Sequence, residues 1–143
     1  MIAVDSNVLI YANREDAPLH DAAAEAVREL AESLAQWAIP WPCVHEFFGV
    51  VTRPGVFRQP SAPADAVRQI DAWLESPSLR LITDSHRHYA TLRDLVVTAD
   101  VRGPRVHDAR IAAICLDHGV TELITMDRDF ARFPALRTRS LLR

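Results

Sequence analysis

The chain contains no lysine: all 16 of its basic residues are arginine. That absence removes two chemistries, because neither a Walker-type phosphate loop nor a Schiff base can be built without a lysine amine. Cysteine is nearly absent as well. Cys43 and Cys115 are isolated, each inside an apolar segment, and read as small buried hydrophobes. Neither a disulfide nor a zinc site is expected. No apolar run approaches the roughly 18 residues of a membrane span, and the opening MIAVDSNVLIYANRED lacks a basic region followed by an apolar stretch. No membrane association and a cytoplasmic location are expected.

What is present suits one folded unit. An apolar share of 49% with 24% charged residues is ordinary for a globular chain, and 143 residues fit a single domain over positions 1–143. The formal charge of -3 conceals an asymmetry. Residues 1–100 carry 8 Arg against 14 acidic residues, whereas residues 101–143 carry 8 against 5. A locally basic end beside acidic residues suits a phosphate-bearing substrate, since guanidinium forks match phosphate geometry. It also suits a plain solvated surface.

Along the chain, Ile2 to Val4 reads as a strand ending at Asp5, with a helix from the capping-type Asp-Ser-Asn onward. From His20 to Gln36, Ala23, Ala24, Val27, Leu30, Ala31 and Leu34 recur at helical spacing. Trp37 to Trp41 predicts a short second strand, punctuated by Pro40 and Pro42. A helix follows with Val44, Phe47, Phe48 and Val51 as its stripe, leaving Glu46 on the flank. Arg53 to Pro63 reads as a loop, and Ala66 to Leu74 as a helix. Leu79 to Ile82 predicts a third strand, and His86 to Ala99 a helix. His107 to His118, apolar nearly all round, predicts a buried helix ended by Gly119. Glu122 to Thr125 predicts a fourth strand before the acidic turn MDRDF, and Leu136 to Leu142 a last edge strand. The alternation implies an α/β fold with a mainly parallel sheet of four to five strands and helices on both faces.

In such sheets ligands gather at the carboxyl ends of the strands, and Asp5 and Asp127 both follow predicted strands. Asp108 opens the buried helix just upstream, and Glu46 joins from a separate helix. Singly, each has an ordinary role: Asp5 and Asp108 as caps or dipole partners, Glu46 as a solvated helix residue, Asp127 and Asp129 as turn formers. Together they repel. Two like charges about 4 Å apart cost roughly 4 kcal/mol at an effective dielectric of 20, so convergence requires a counter-ion. Oxygen-only donors favour Mg²⁺ or Mn²⁺ over zinc. Asp5 and Asp108 are the expected direct ligands, and Glu46 and Asp127 serve a second ion, hold its waters or act as base. Asp129 is an outer candidate, and His107 a helix-start or substrate-facing residue. Such a site would hydrolyse a nucleic-acid backbone.

The opening MIAVDSNVLIYA, the Glu46–Phe47 pair, the run HDARIAAICLDHGVTELITMDRDF and the arginine-rich end together resemble a PIN domain of the VapC toxin type, across essentially the whole chain. The last run is the most specific part. The resemblance implies a magnesium-dependent endoribonuclease that cuts structured RNA of the translation machinery, is silenced by a VapB-like antitoxin, and forms a homodimer. By position, Asp5, Glu46, Asp108 and Asp127 match the family's acidic quartet, Asn7 and Thr125 its supporting polar positions, and Asp129 its additional acid. Two rivals stand beside this reading. DNA-flap nucleases have similar acids but resemble larger chains, and a non-catalytic nucleic-acid-binding module would be expected to lose an acid. Receiver domains and haloacid-dehalogenase-like phosphatases share the aspartate after strand one but need the missing lysine.

Overall fold

A computed structural model describes residues 1–142; the arginine-rich end noted above extends one residue further, to Arg143, which lies outside them. Five strands form one sheet: β1 (Ile2–Val4), β2 (Trp37–Pro40), β3 (Leu79–Ile82), β4 (Glu122–Ile124) and β5 (Arg137–Arg139). All pairings are parallel, in the order β3-β2-β1-β4-β5. The strands are short, and the interior ones are apolar because both faces are covered: β2 is buried at every position, whereas the edge strand β5, Arg-Thr-Arg, is largely exposed. The expected α/β architecture is therefore present, with five strands and no antiparallel member.

Six helices connect them: α1 (Ser6–Asn13), α2 (His20–Glu32), α3 (Trp41–Val51), α4 (Pro63–Leu74), α5 (His88–Thr98) and α6 (Val106–Asp117). They pack in two groups, α1 with α2 and α3, α3 with α4, and separately α5 with α6. The core runs through Val4, Val8, Trp37, Ile39, Phe47, Ile114, Leu123 and Phe130. Phe47 meets Trp73 of α4 edge-on at 4.8 Å. α6 buries Ala109 and every residue from Ile111 to Cys115, as its apolar composition predicts. Both cysteines are free and buried. Among the described residues no helix is long and apolar enough to cross a membrane.

Several boundaries differ from expectation, among them the last strand, expected from Leu136 to Leu142 and present only as Arg137–Arg139; two of the differences have identifiable reasons. α2 stops at Glu32, short of Gln36, because Ser33 leaves the helical region and its hydroxyl accepts from the Ala35 N–H at 3.1 Å. Leu34, expected on the apolar stripe, is consequently fully exposed. Trp41 belongs to α3, not to the second strand: Pro42 is tolerated in a first helical turn, where its missing N–H is not needed. The loop before α4 is held by Arg14, whose guanidinium lies 4.7 Å over the Phe57 ring and donates to the Gln59 carbonyl at 2.7 Å.

Candidate metal centre

Strand order places the topological switch between β1 and β4, since the chain proceeds from β1 to β2 and β3 on one side and to β4 and β5 on the other. Asp5 and Thr125 occupy the positions just beyond these two strands. The Asp5 N–H continues the ladder to the Ile124 carbonyl at 3.0 Å, which fixes the two strand ends side by side. Four polar side chains are buried among the described residues, and three of them, Asp5, Ser6 and Thr125, are here. Buried polar groups require partners.

Asp5 has them. Its Oδ1 accepts from the Ser6 N–H at 2.7 Å, capping α1, and from the Cys43 thiol at 3.5 Å. Its Oδ2 accepts from the Thr125 hydroxyl at 2.7 Å and the Asn7 amide at 3.3 Å. Burial pushes the Asp5 carboxyl above its ordinary range and the nearby Glu46 charge adds to this, while the Thr125 and Ser6 hydrogen bonds oppose it. The Ser6 hydroxyl donates to Glu46 Oε1, so one residue of α1 ties the acid of α3 to the acid of β1.

On the β4 side Thr125 is a hub. Its hydroxyl also accepts from the Asp127 N–H at 3.0 Å, and the Asn7 carbonyl oxygen receives the Met126 N–H at 3.2 Å. Asp127 in turn accepts from the Asp129 N–H at 2.9 Å, nucleating the short 3-10 turn Arg128–Arg132. Phe130, fully buried against Phe133, anchors that turn in the core. Thr125→Val removes the donor to Asp5 and the acceptor for Asp127 without changing side-chain volume. It is expected to lower stability by about 1–3 kcal/mol and divalent-cation affinity by about 10–100-fold, with Thr125→Ser retaining both. Thermal melts and Mn²⁺ titration measure the two effects.

Asp108 sits in the first turn of α6, half-buried. One oxygen each of Asp108, Asp127 and Asp129 lie within 4.8 Å of one another. The Asp108 carboxyl is raised to about 6 by burial first, then by the charges of Asp127, Asp5, Asp129 and Glu46. Four acids thus act on the fifth. The folded chain holds the Asp108 proton more tightly than the unfolded chain does. This carboxyl therefore favours folding below about pH 4, and that contribution is lost as pH rises through about 6. Melts of metal-free protein should show stability falling across this window, with Asp108→Asn flattening the slope; equal slopes would overturn the assignment.

The structure brings together every acid expected from the sequence, with a different grouping. Asp129, expected at the periphery, belongs to the tightest triple, whereas Asp5 lies deeper with its oxygens engaged by donors. Glu46 is exposed and reaches the group through Ser6. His107 is exposed in the first turn of α6. Ser6, Cys43 and Arg105, which forms an ion pair with Asp129, were not foreseen. A hint of Cys43 existed: it precedes Glu46 by three residues, which places the two on adjoining parts of one helix face. The donor set suits a hard divalent cation, being three converging carboxylates with no thiolate or imidazole among them.

Comparison with known proteins agrees with this fold. The PIN domain model matches residues 2–136. Ribonuclease VapC43 of Mycobacterium tuberculosis is 36% identical over 139 residues, covering 97% of this chain and 94% of that protein. The structure of VapBC2 from Rickettsia felis, bound to a DNA fragment from their promoter, superposes with a TM-score of 0.71 at 20% identity over 98% of both chains. Mycobacterium tuberculosis VapC20, described as a sarcin-ricin loop cleaving toxin, gives 0.67 at 19% identity over 92% of this chain and 93% of that one. A family match spanning nearly every element, on a parallel sheet whose switch point gathers five acids, makes this chain a member of the PIN domain family.

Proposed function

We propose that this protein is a divalent-metal-dependent endoribonuclease, the toxin of a type II toxin–antitoxin pair, which hydrolyses phosphodiester bonds of structured RNA such as tRNA or rRNA. The observation that carries the reading is that Asp108, Asp127 and Asp129 offer oxygens within 4.8 Å of one another at the strand ends, beside Asp5 and Glu46, which Ser6 links; the charges of the other four acids, with burial, raise Asp108 to about 6. The names of the relatives support the choice of RNA: VapC43 is a ribonuclease, and VapC20 is a toxin cleaving the sarcin-ricin loop.

Asp5 and Asp108 are the proposed ligands of one Mg²⁺ or Mn²⁺ ion, and Asp127 with Asp129 extends the set toward a second. Bound there, such an ion supplies Lewis acidity that activates water and offsets phosphate charge. Thr125 and Asn7 orient Asp5, and the Asp127–Asp129 turn holds two carboxylates toward Asp108. Glu46 keeps Oε1 on Ser6, and no hydrogen bond engages Oε2 among the described residues. That oxygen is the candidate base for the attacking water. A VapB-like antitoxin is the proposed partner, since the VapBC neighbours are solved as pairs of that kind, and a homodimer is the proposed assembly. The test is RNA sequencing of new 5′ ends after induced expression of the parent. Discrete cut sites in tRNA or rRNA support the reading, and an unchanged profile with unimpaired growth overturns it.

A further inference from the structure

Asp129 is the one acid of the group that already holds a cationic side chain. Arg105 Nη1 pairs with Asp129 Oδ2. Among the described residues no other arginine or histidine pairs with Asp5, Glu46, Asp108, Asp127 or Asp129. The pair joins the two segments that carry the triple. Arg105 closes the 3-10 turn Gly103–Arg105 from which α6 begins, three residues ahead of Asp108. Asp129 follows Asp127 by two residues in the turn beyond β4. The side chains are 44% and 43% exposed, so the guanidinium stands beside the acids within reach of solvent.

Two cations would share the single negative charge of Asp129. One of its oxygens falls within 4.8 Å of ligand atoms on Asp108 and Asp127, where a divalent ion would draw on it, while a guanidinium that never deprotonates holds the same carboxylate. An exposed pair of this kind is weak, weak enough to yield to an ion of twice the charge attracted by three carboxylates. Resting on the metal-dependent reading above, we infer that Arg105 is a tethered counter-ion. It neutralises Asp129 while the centre is empty, competes with the divalent cation for that carboxylate, and is released by the cation to meet an RNA phosphate. Arg105 is thus a positioning residue in one state and a phosphate anchor in the other. Its fork geometry suits both carboxylate and phosphate.

The competition has a sign that a merely structural role lacks. Calorimetric titration with Mn²⁺ alone, on the full chain at low ionic strength, should find Arg105→Ala binding the ion about three- to tenfold more tightly than the parent. Arg105→Lys, which keeps the charge and loses the fork, should fall between. In an Asp129→Asn background the Arg105→Ala effect should shrink to less than about twofold. With Mn²⁺ saturating, binding of a 2′-O-methyl RNA hairpin should weaken in Arg105→Ala, and the slope of log K against log salt should fall by about one phosphate contact. A variant that binds Mn²⁺ no better than the parent overturns the competition, and an unchanged salt slope overturns the anchor. A parent that takes up no Mn²⁺ at all overturns instead the metal-dependent function on which the inference rests.

Discussion

Asp5→Asn is expected to cleave RNA more than about a hundredfold more slowly than the parent while melting within a few degrees of it. The two halves have separate causes. Cleavage falls because an amide carries no charge for a cation and exchanges an acceptor oxygen for a donor. Stability is largely kept because asparagine caps a helix about as well as aspartate: its carbonyl can retain the Ser6 N–H and the Thr125 hydroxyl can turn to accept from the new amide, at the cost of the 3.3 Å hydrogen bond from the Asn7 amide. The parental carboxylate is also disfavoured by its burial and by Glu46, a penalty that a neutral side chain does not incur. Parental cleavage rates in the variant would remove Asp5 from the site. A large fall in melting temperature would mean that lost activity reports unfolding.

Removal of divalent cations carries the second large effect. Chelation should abolish cleavage, and Mg²⁺ or Mn²⁺ should restore it. The same ions should stabilise the folded chain, because they bind three converging carboxylates that no unfolded chain presents together. At about 100 times the dissociation constant the gain is about 2.7 kcal/mol, roughly a 5–10 °C rise in melting temperature for a domain of this size. Asp108→Asn should lose most of that rise. Cleavage undiminished in chelator, with a melting temperature indifferent to Mg²⁺, would sink the metal-dependent mechanism.

The legible and illegible parts of this protein divide along a physical line. β1 and β3 were readable to the residue, because short, mainly apolar segments that end at a polar residue, Asp5 and Thr83, leave few alternatives, and α6 was readable because its stretch from Ile111 to Leu116 holds nothing charged. The acids were recoverable as a set from their positions after strands and at a helix start. Their grouping was not. Asp129 joins the triple because Asp127 accepts its N–H and Phe130 anchors the turn, a three-dimensional arrangement that spacing alone leaves open. Leu34 shows the opposite failure: periodicity favoured a helix that one serine hydroxyl ended. Cys43 looked like filler because a thiol is small and apolar, yet it donates to the deepest carboxylate.

β1 lies between β2 and β4, and its pairing with β4 joins Ile2 to Glu122 and Val4 to Ile124. Asp5 receives its Thr125 hydrogen bond only once that end of the chain has docked. During synthesis, when amino-terminal segments emerge first, a nascent polypeptide ending short of residue 122 can form β1, β2 and β3 but carries neither Thr125, Asp127 nor Asp129. The acidic group is thereby completed only near the end of synthesis, when almost the whole message has been read.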